Sequence, residues 1–221
     1  MEISTKADRQ LMKMRAEALE ELTRYILPYW VNRMPDMSLG GFYGRIDGRD
    51  RVIADAPKGA ILNARILWSF SAAYITLPDP AYLAVATRAR NYIFGHFFDD
   101  RYGGTYWCLD SNGEPLETKK QIYSLAFFIY ALSWYHMATG DRESLDRAVE
   151  LYELIEKHSY DSVHGGYFEA FTREWGEIAD LRLSEKDENE KKTMNTHLHL
   201  LEAYTSLYRI WPDEGLKRQL G

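Results

Sequence analysis

Gly40-Gly41-Phe42-Tyr43, Gly103-Gly104-Thr105-Tyr106-Trp107 and Gly165-Gly166-Tyr167-Phe168 write one signature three times, at steps of 63 and 62 residues. A repeat this long, with two helix-like segments after each copy, restricts the chain to an array of helical hairpins punctuated by tight glycine turns. Three copies are complete, and a fourth has begun where the sequence reaches Gly221.

The segments between the turns fall into two kinds. Asp8–Val31 carries Leu11, Met14, Ala18, Leu22 and Tyr25 at three- and four-residue spacing, and Pro80–Phe98 and Arg142–His158 repeat the habit. Such stripes predict surface helices with one apolar face. Asp79 before Pro80 reads as an N-cap with proline at the first helical position, and Gly140-Asp141 as a C-cap followed by the next N-cap. The second kind, Ala60–Leu77, Gln121–Met137 and Thr193–Trp211, is apolar nearly all round. Helices without a solvent face need cover on every side, so these predict an inner layer and the amphipathic helices an outer one. The aromatic runs Gly41–Ile46 and Gly166–Phe171 read as brief strands or hairpins joining outer to inner helix, and the charged stretch Thr172–Lys192 as a solvated loop. The expected class is all-α, one domain over residues 1–221.

Composition narrows the partners. With 46% hydrophobic residues in 221, a core burying ~70% of the unfolded surface needs no staple. The lone Cys108 has no intrachain partner, and Met1–Met14 lacks the apolar run of a secretory signal, which predicts a reducing, cytoplasmic setting. No run approaches the ~18 apolar residues of a membrane span. A net charge of -6 with scattered Lys and Arg argues against nucleic acid.

Polar residues early in the inner helices mark the candidate site. Arg65, in an otherwise apolar run, keeps its proton and needs acceptors or a wet cavity; the alternative is a carboxylate partner between the layers. Gln121 and Tyr123 hold the same early position in the second inner helix, where core packing and ligand contact stand level. In the third, Asn195, His199, Glu202 and Ser206 share one stripe at steps of four, three and four. His197 points roughly 200 degrees away around the axis, so the two histidines do not chelate one metal from a helix. Aromatic faces beside guanidinium, imidazole and amide donors suit a sugar ring.

Gly40-Gly41-Phe42-Tyr43-Gly44, Leu62-Asn63-Ala64-Arg65-Ile66-Leu67-Trp68, Lys119-Lys120-Gln121-Ile122-Tyr123 and the run from Met194 to Tyr204 together resemble the N-acylglucosamine 2-epimerase family, in particular its cellobiose 2-epimerase branch. The resemblance implies an (α/α)6 barrel, with short β-hairpins at the Gly-Gly turns, that epimerises the reducing-end glucose of a β-1,4-linked disaccharide to mannose without metal or nucleotide. It implies that Arg65 steadies the enediolate and that Tyr123, Asp187, Asn195 and His199 contact the sugar. The family's two acid/base histidines come from the second half of the barrel, one in a His-Asp-x-Glu type motif. None of the six histidines here precedes an aspartate. The expectation is therefore an amino-terminal portion, about three and a half helix pairs, inactive alone and prone to self-associate, whose full-length form is a monomer. Other readings are an N-acylglucosamine 2-epimerase or mannose isomerase of the same fold, a glycoside hydrolase using Asp187 and Glu202, and a non-catalytic sugar-binding scaffold.

Overall fold

The computed structural model describes residues 6–221; the first five residues of the amino-terminal stretch read above for a signal lie outside the described residues. Helix α1 (Lys6–Glu21) runs through a π turn at Leu22–Ile26 into α2 (Leu27–Arg33). There follow β1 (Lys58–Gly59), α3 (Ala60–Thr76), α4 (Pro80–Tyr92), which continues through a second π turn at Ile93–Phe97, β2 (Cys108–Leu109), β3 (Pro115–Glu117) and β4 (Lys120–Gln121). The chain then forms α5 (Ile122–Thr139), α6 (Arg142–His158), β5 (Ala170–Phe171), α7 (Met194–Tyr208) and α8 (Glu214–Leu220).

Boundaries follow the local chemistry. The Asp79 side chain accepts the Ala81 N–H at 2.8 Å with Pro80 at the helix start. Gly140 ends α5 in the left-handed conformation at φ 76, and Asp141 then caps α6 by accepting the Ser144 N–H. α5 has no charged residue and is buried on nearly every side, because α3 and α7 flank it and α6 covers its back. The inner helices thus stand in the row α3, α5, α7, with α4, α6 and α8 on the outside. Leu67, Phe128, Ile129, Leu151 and Leu207 are fully enclosed between the layers. No helix of the described residues is long and apolar enough to cross a membrane. α1 differs from the other outer helices: Leu11, Met12 and Met14 on it remain exposed.

Each glycine turn is closed by one antiparallel bridge, Pro35 with Phe42, Phe98 with Thr105 and Tyr160 with Tyr167. The longer strands do something the sequence pattern does not specify. β1 pairs with β2, and β4 with β5, so the strand entering one inner helix is hydrogen-bonded to the segment following the next turn. Successive repeats are thereby laced together at the ends where the inner helices begin.

A second device recurs with the turns. An aspartate four residues before each glycine pair accepts two backbone N–H groups of the turn: Asp36 from Ser38 and Leu39, Asp99 from Arg101 and Tyr102, Asp161 from Val163 and His164. A lysine two residues before each inner helix then binds that aspartate, Lys58 to Asp36 at 2.9 Å, Lys120 to Asp99 at 2.8 Å and Lys192 to Asp161 at 2.6 Å. Lys58 and Lys120 are completely enclosed. Buried ammonium groups need a counter-charge and acceptors, and these ion pairs fix each turn to the first residues of the helix it feeds.

Candidate active site

The turns set where the inner helices start, and the first turns of those helices carry the polar side chains. Arg65 on α3 is exposed, forms no ion pair among the described residues, and holds its guanidinium carbon 4.8 Å from the centre of the Phe127 ring. The alternative of a carboxylate partner between the layers therefore does not describe it. Phe127 lies on α5, one turn beyond Tyr123, and the two rings are 5.1 Å apart. His199 on α7 meets both: its ring is 4.6 Å from Phe127 and 4.9 Å, edge-on, from Tyr123. Three helices thus bring Arg65, Tyr123, Phe127 and His199 onto one contiguous face.

Farther along the same helices the face continues with Trp68 stacked on Tyr130 at 5.3 Å and Tyr130 edge-on to Trp134 at 6.3 Å. Burial pushes the Tyr130 hydroxyl above its ordinary range and the negative charge of Glu202 adds to this, while the Trp68 and Trp134 indoles pull the other way. Glu202 accepts from His199 Nδ1 at 2.8 Å. The partly exposed Trp68 and Tyr130 rings offer a stacking platform, and Arg65, His199 and Glu202 offer hydrogen-bonding groups beside it.

His197, two residues from His199, has a different task. Its Nε2 accepts the Tyr167 N–H at 2.9 Å, so Nδ1 carries the proton toward the Thr193 carbonyl at 2.6 Å. Both nitrogens are used to hold the third glycine turn against the start of α7. The stripe read on α7 divides in the same way: Asn195 is exposed one turn before His199, while Ser206 is buried in the core.

Gln121 is buried and clips backbone, donating from Nε2 to the Glu169 and Leu181 carbonyls. Leu181 belongs to the charged loop Thr172–Lys192, which is pinned across the start of α5 by this bond and by Lys119 donating to the Arg182 carbonyl. Within that loop Asp187 is exposed and turned back on its own segment, accepting from the Ser184 N–H and hydroxyl, both at 2.8 Å. It is not among the groups that meet on Phe127. Two grooves border the helices. One of ≈ 600 Å³ between α1–α2 and α3 is lined mainly by apolar residues and reaches Arg65; another of ≈ 770 Å³, at Thr87, Tyr92 and His96, belongs to the outer layer.

Phe127, Tyr130 and Trp68 were not singled out by sequence because aromatic residues in an apolar helix read as core. The available signal was their spacing from Tyr123 and Arg65, which puts them on the same helical face. The aspartate of each turn leaves a signal of its own, since Asp-x-x-x-Gly-Gly recurs with the glycine period.

Paired layers of antiparallel helices, joined by short strands and with polar residues at the starts of the inner helices, define the (α/α)6 barrel class, of which this chain forms a part. The chain belongs to the N-acylglucosamine 2-epimerase (GlcNAc 2-epimerase) family, whose model matches residues 41–220. It is 58% identical to a cellobiose 2-epimerase of Bacteroides fragilis, over 94% of this chain and 53% of that protein. The solved cellobiose 2-epimerase of Bacillus thermoamylovorans superposes with a TM-score of 0.90 at 43% identity, covering 94% of this chain and 53% of the other. That of Spirochaeta thermophila superposes with a TM-score of 0.91 at 39% identity, over 98% and 53%. The chain spans about half the length of the relatives it matches.

Proposed function

We propose that this chain forms half of the site of a carbohydrate epimerase that interconverts glucose and mannose at the reducing end of a β-1,4-linked disaccharide, cellobiose being the substrate class its relatives' names suggest. The observation that carries the reading is the meeting of Arg65 and His199, from α3 and α7, on the single ring of Phe127.

Inversion at C2 begins with the open-chain aldehyde. A base removes the C2 proton, the electron pair forms a C1–C2 double bond, and the carbonyl oxygen becomes an oxyanion; a proton then returns to the opposite face. Arg65 is the group suited to the oxyanion, because its charge is permanent and its donors are directional. His199 suits hydrogen bonding or proton transfer at a sugar oxygen beside it, with Tyr123 and Asn195 binding hydroxyls and the Trp68–Tyr130 pair receiving an apolar ring face. Asp187 enters this scheme only if its loop turns the carboxylate from Ser184 toward the sugar. Returning a proton to the opposite face calls for proton-transfer groups on both sides of C2, and among the described residues His199 is the one histidine in this cluster. The 221-residue chain alone is therefore expected to bind sugar without turning it over.

The test is a chimera in which this chain replaces the matched region of the Bacteroides fragilis relative, assayed by NMR with cellobiose in D2O. The expected result is glucosyl-mannose with deuterium at C2, and a drop of ~10²–10³-fold on Arg65→Ala, as for loss of an oxyanion donor. Preference for mannose or N-acetylglucosamine over cellobiose would point to a monosaccharide enzyme, and release of free glucose would point to hydrolysis.

A further inference from the structure

We infer that Glu202 is a positioning residue for His199: it fixes the proton on Nδ1 and turns the Nε2 lone pair toward the sugar-facing side of the inner layer. This rests on the functional reading above and adds to it a residue and a task.

The argument starts from the two histidines of His197-Leu198-His199. They share a helix, yet their nitrogens meet opposite kinds of partner. At His197 both nitrogens are consumed by backbone, one accepting and one donating, so the ring is a structural peg. At His199 one nitrogen faces a carboxylate, Glu202 Oε2 at 2.8 Å, and Nε2 has no hydrogen-bond partner among the described residues. An ionised carboxylate only accepts, so Nδ1 must carry a proton, and in the neutral imidazole it is Nε2 that keeps the lone pair. A free imidazole exchanges between tautomers; one held by a carboxylate does not, and it presents a defined acceptor to whatever stands beyond.

The geometry makes this a local and rigid arrangement. Residues three apart on a helix are neighbours, so Glu202 reaches Nδ1 within α7 without help from another element. The ring is then held in plane by Tyr123 at its edge and Phe127 on its tilted face. Glu202 itself keeps to this side of the layer, since its charge is felt at the Tyr130 hydroxyl on α5. The side chain is partly exposed, and among the described residues its hydrogen bond is to His199 alone. A glutamate retained for surface charge alone would have no such alignment with the one imidazole that touches both site aromatics.

The experiment uses the intact 221-residue chain. Long-range ¹H–¹⁵N correlation spectra, with His199 assigned by comparison with His199→Gln, report which ring nitrogen is protonated. Wild type is expected to show His199 with protonated Nδ1 and bare Nε2. Glu202→Leu is expected to convert it to a mixture dominated by the Nε2–H form, while Glu202→Gln, whose amide oxygen still accepts, retains the original pattern. Cellobiose affinity is expected to fall about 10-fold in Glu202→Leu, the lower end of the range for loss of a group that orients a ligating histidine, and to stay within about 3-fold of wild type in Glu202→Gln. A His199 tautomer unchanged by Glu202→Leu, or already mixed in wild type, overturns the inference. A tautomer that changes while cellobiose binding is indifferent to both Glu202→Leu and His199→Ala upholds the positioning and overturns the functional reading instead. Glu202 is half-exposed, so folding of the variants is checked by circular dichroism against wild type.

Discussion

Asp99 is enclosed by protein and holds two cations, Lys120 Nζ at 2.8 Å and Arg173 Nε at 2.8 Å. Burial alone would raise its carboxyl; hydrogen bonds from Arg173 and Lys120 outweigh that and hold it well below the usual carboxylate range. Removing the carboxylate strands an ammonium group in the core, so Asp99→Ala is expected to cost about 3–5 kcal/mol in urea unfolding. Asp99→Ala combined with Lys120→Met should recover most of that loss, because the buried ammonium is gone and the Arg173 guanidinium, 33% exposed, still reaches water. Asp36 is shifted the same way: burial raises it, and bonds from Leu39, Lys58 and Ser38 bring it down. A carboxyl whose folded-state pKa lies below its unfolded one contributes fully above the unfolded value and loses that contribution as pH falls through the folded one. Thermal scans should therefore show an acid decline beginning below about pH 4, with a shallower slope in the double variant. At this scale the sequence made Arg65, Tyr123 and His199 visible because charged or polar groups in an apolar helix demand partners. It hid Lys58 and Lys120, since a lysine beside a glycine or glutamine reads as surface and its aspartate lies 22 or 21 residues away. Asp187 came from resemblance alone, and the structure leaves it paired with Ser184.

Among the elements, helix limits were the most legible feature, because caps and apolar periodicity are local. The predicted outer helix Arg142–His158 and the observed one coincide, and the inner helices differ from their predicted ends by at most three residues. Strand pairing was not legible: two-residue strands leave no periodicity, and their partners come from the neighbouring repeat. The glycine turns offer a test that separates conformation from crowding. Gly140 has φ 76 and open space where a Cβ would stand, so Gly140→Ala should cost only the left-handed penalty, about 1–2 kcal/mol. Gly41 has φ 61, and a Cβ there would lie 2.7 Å from the Tyr92 ring, which is itself stacked on His96. Gly41→Ala adds overpacking to the same penalty and should cost about 1–3 kcal/mol more. Equal losses for the two variants in denaturant titration would show that the turn tolerates the added methyl by moving Tyr92.

At the scale of the whole molecule, the three hairpins leave apolar side chains uncovered on helices at both ends of the row. Met194, Leu198 and Leu201 on α7 are at least half exposed, as are Leu11, Met12 and Met14 on α1. Patches of this kind favour association, and light scattering should show the mass of the chain rising with concentration, less so in Leu198→Glu/Leu201→Glu. A constant monomer mass would mean these flanks are tolerated in water. The central claim is that three inner helices compose one carbohydrate-binding face, and calorimetric titration of the chain with cellobiose tests it most directly. The account predicts binding that is lost in both Arg65→Ala and His199→Ala; no binding by the folded wild-type chain, or binding that both variants leave unchanged, would contradict it.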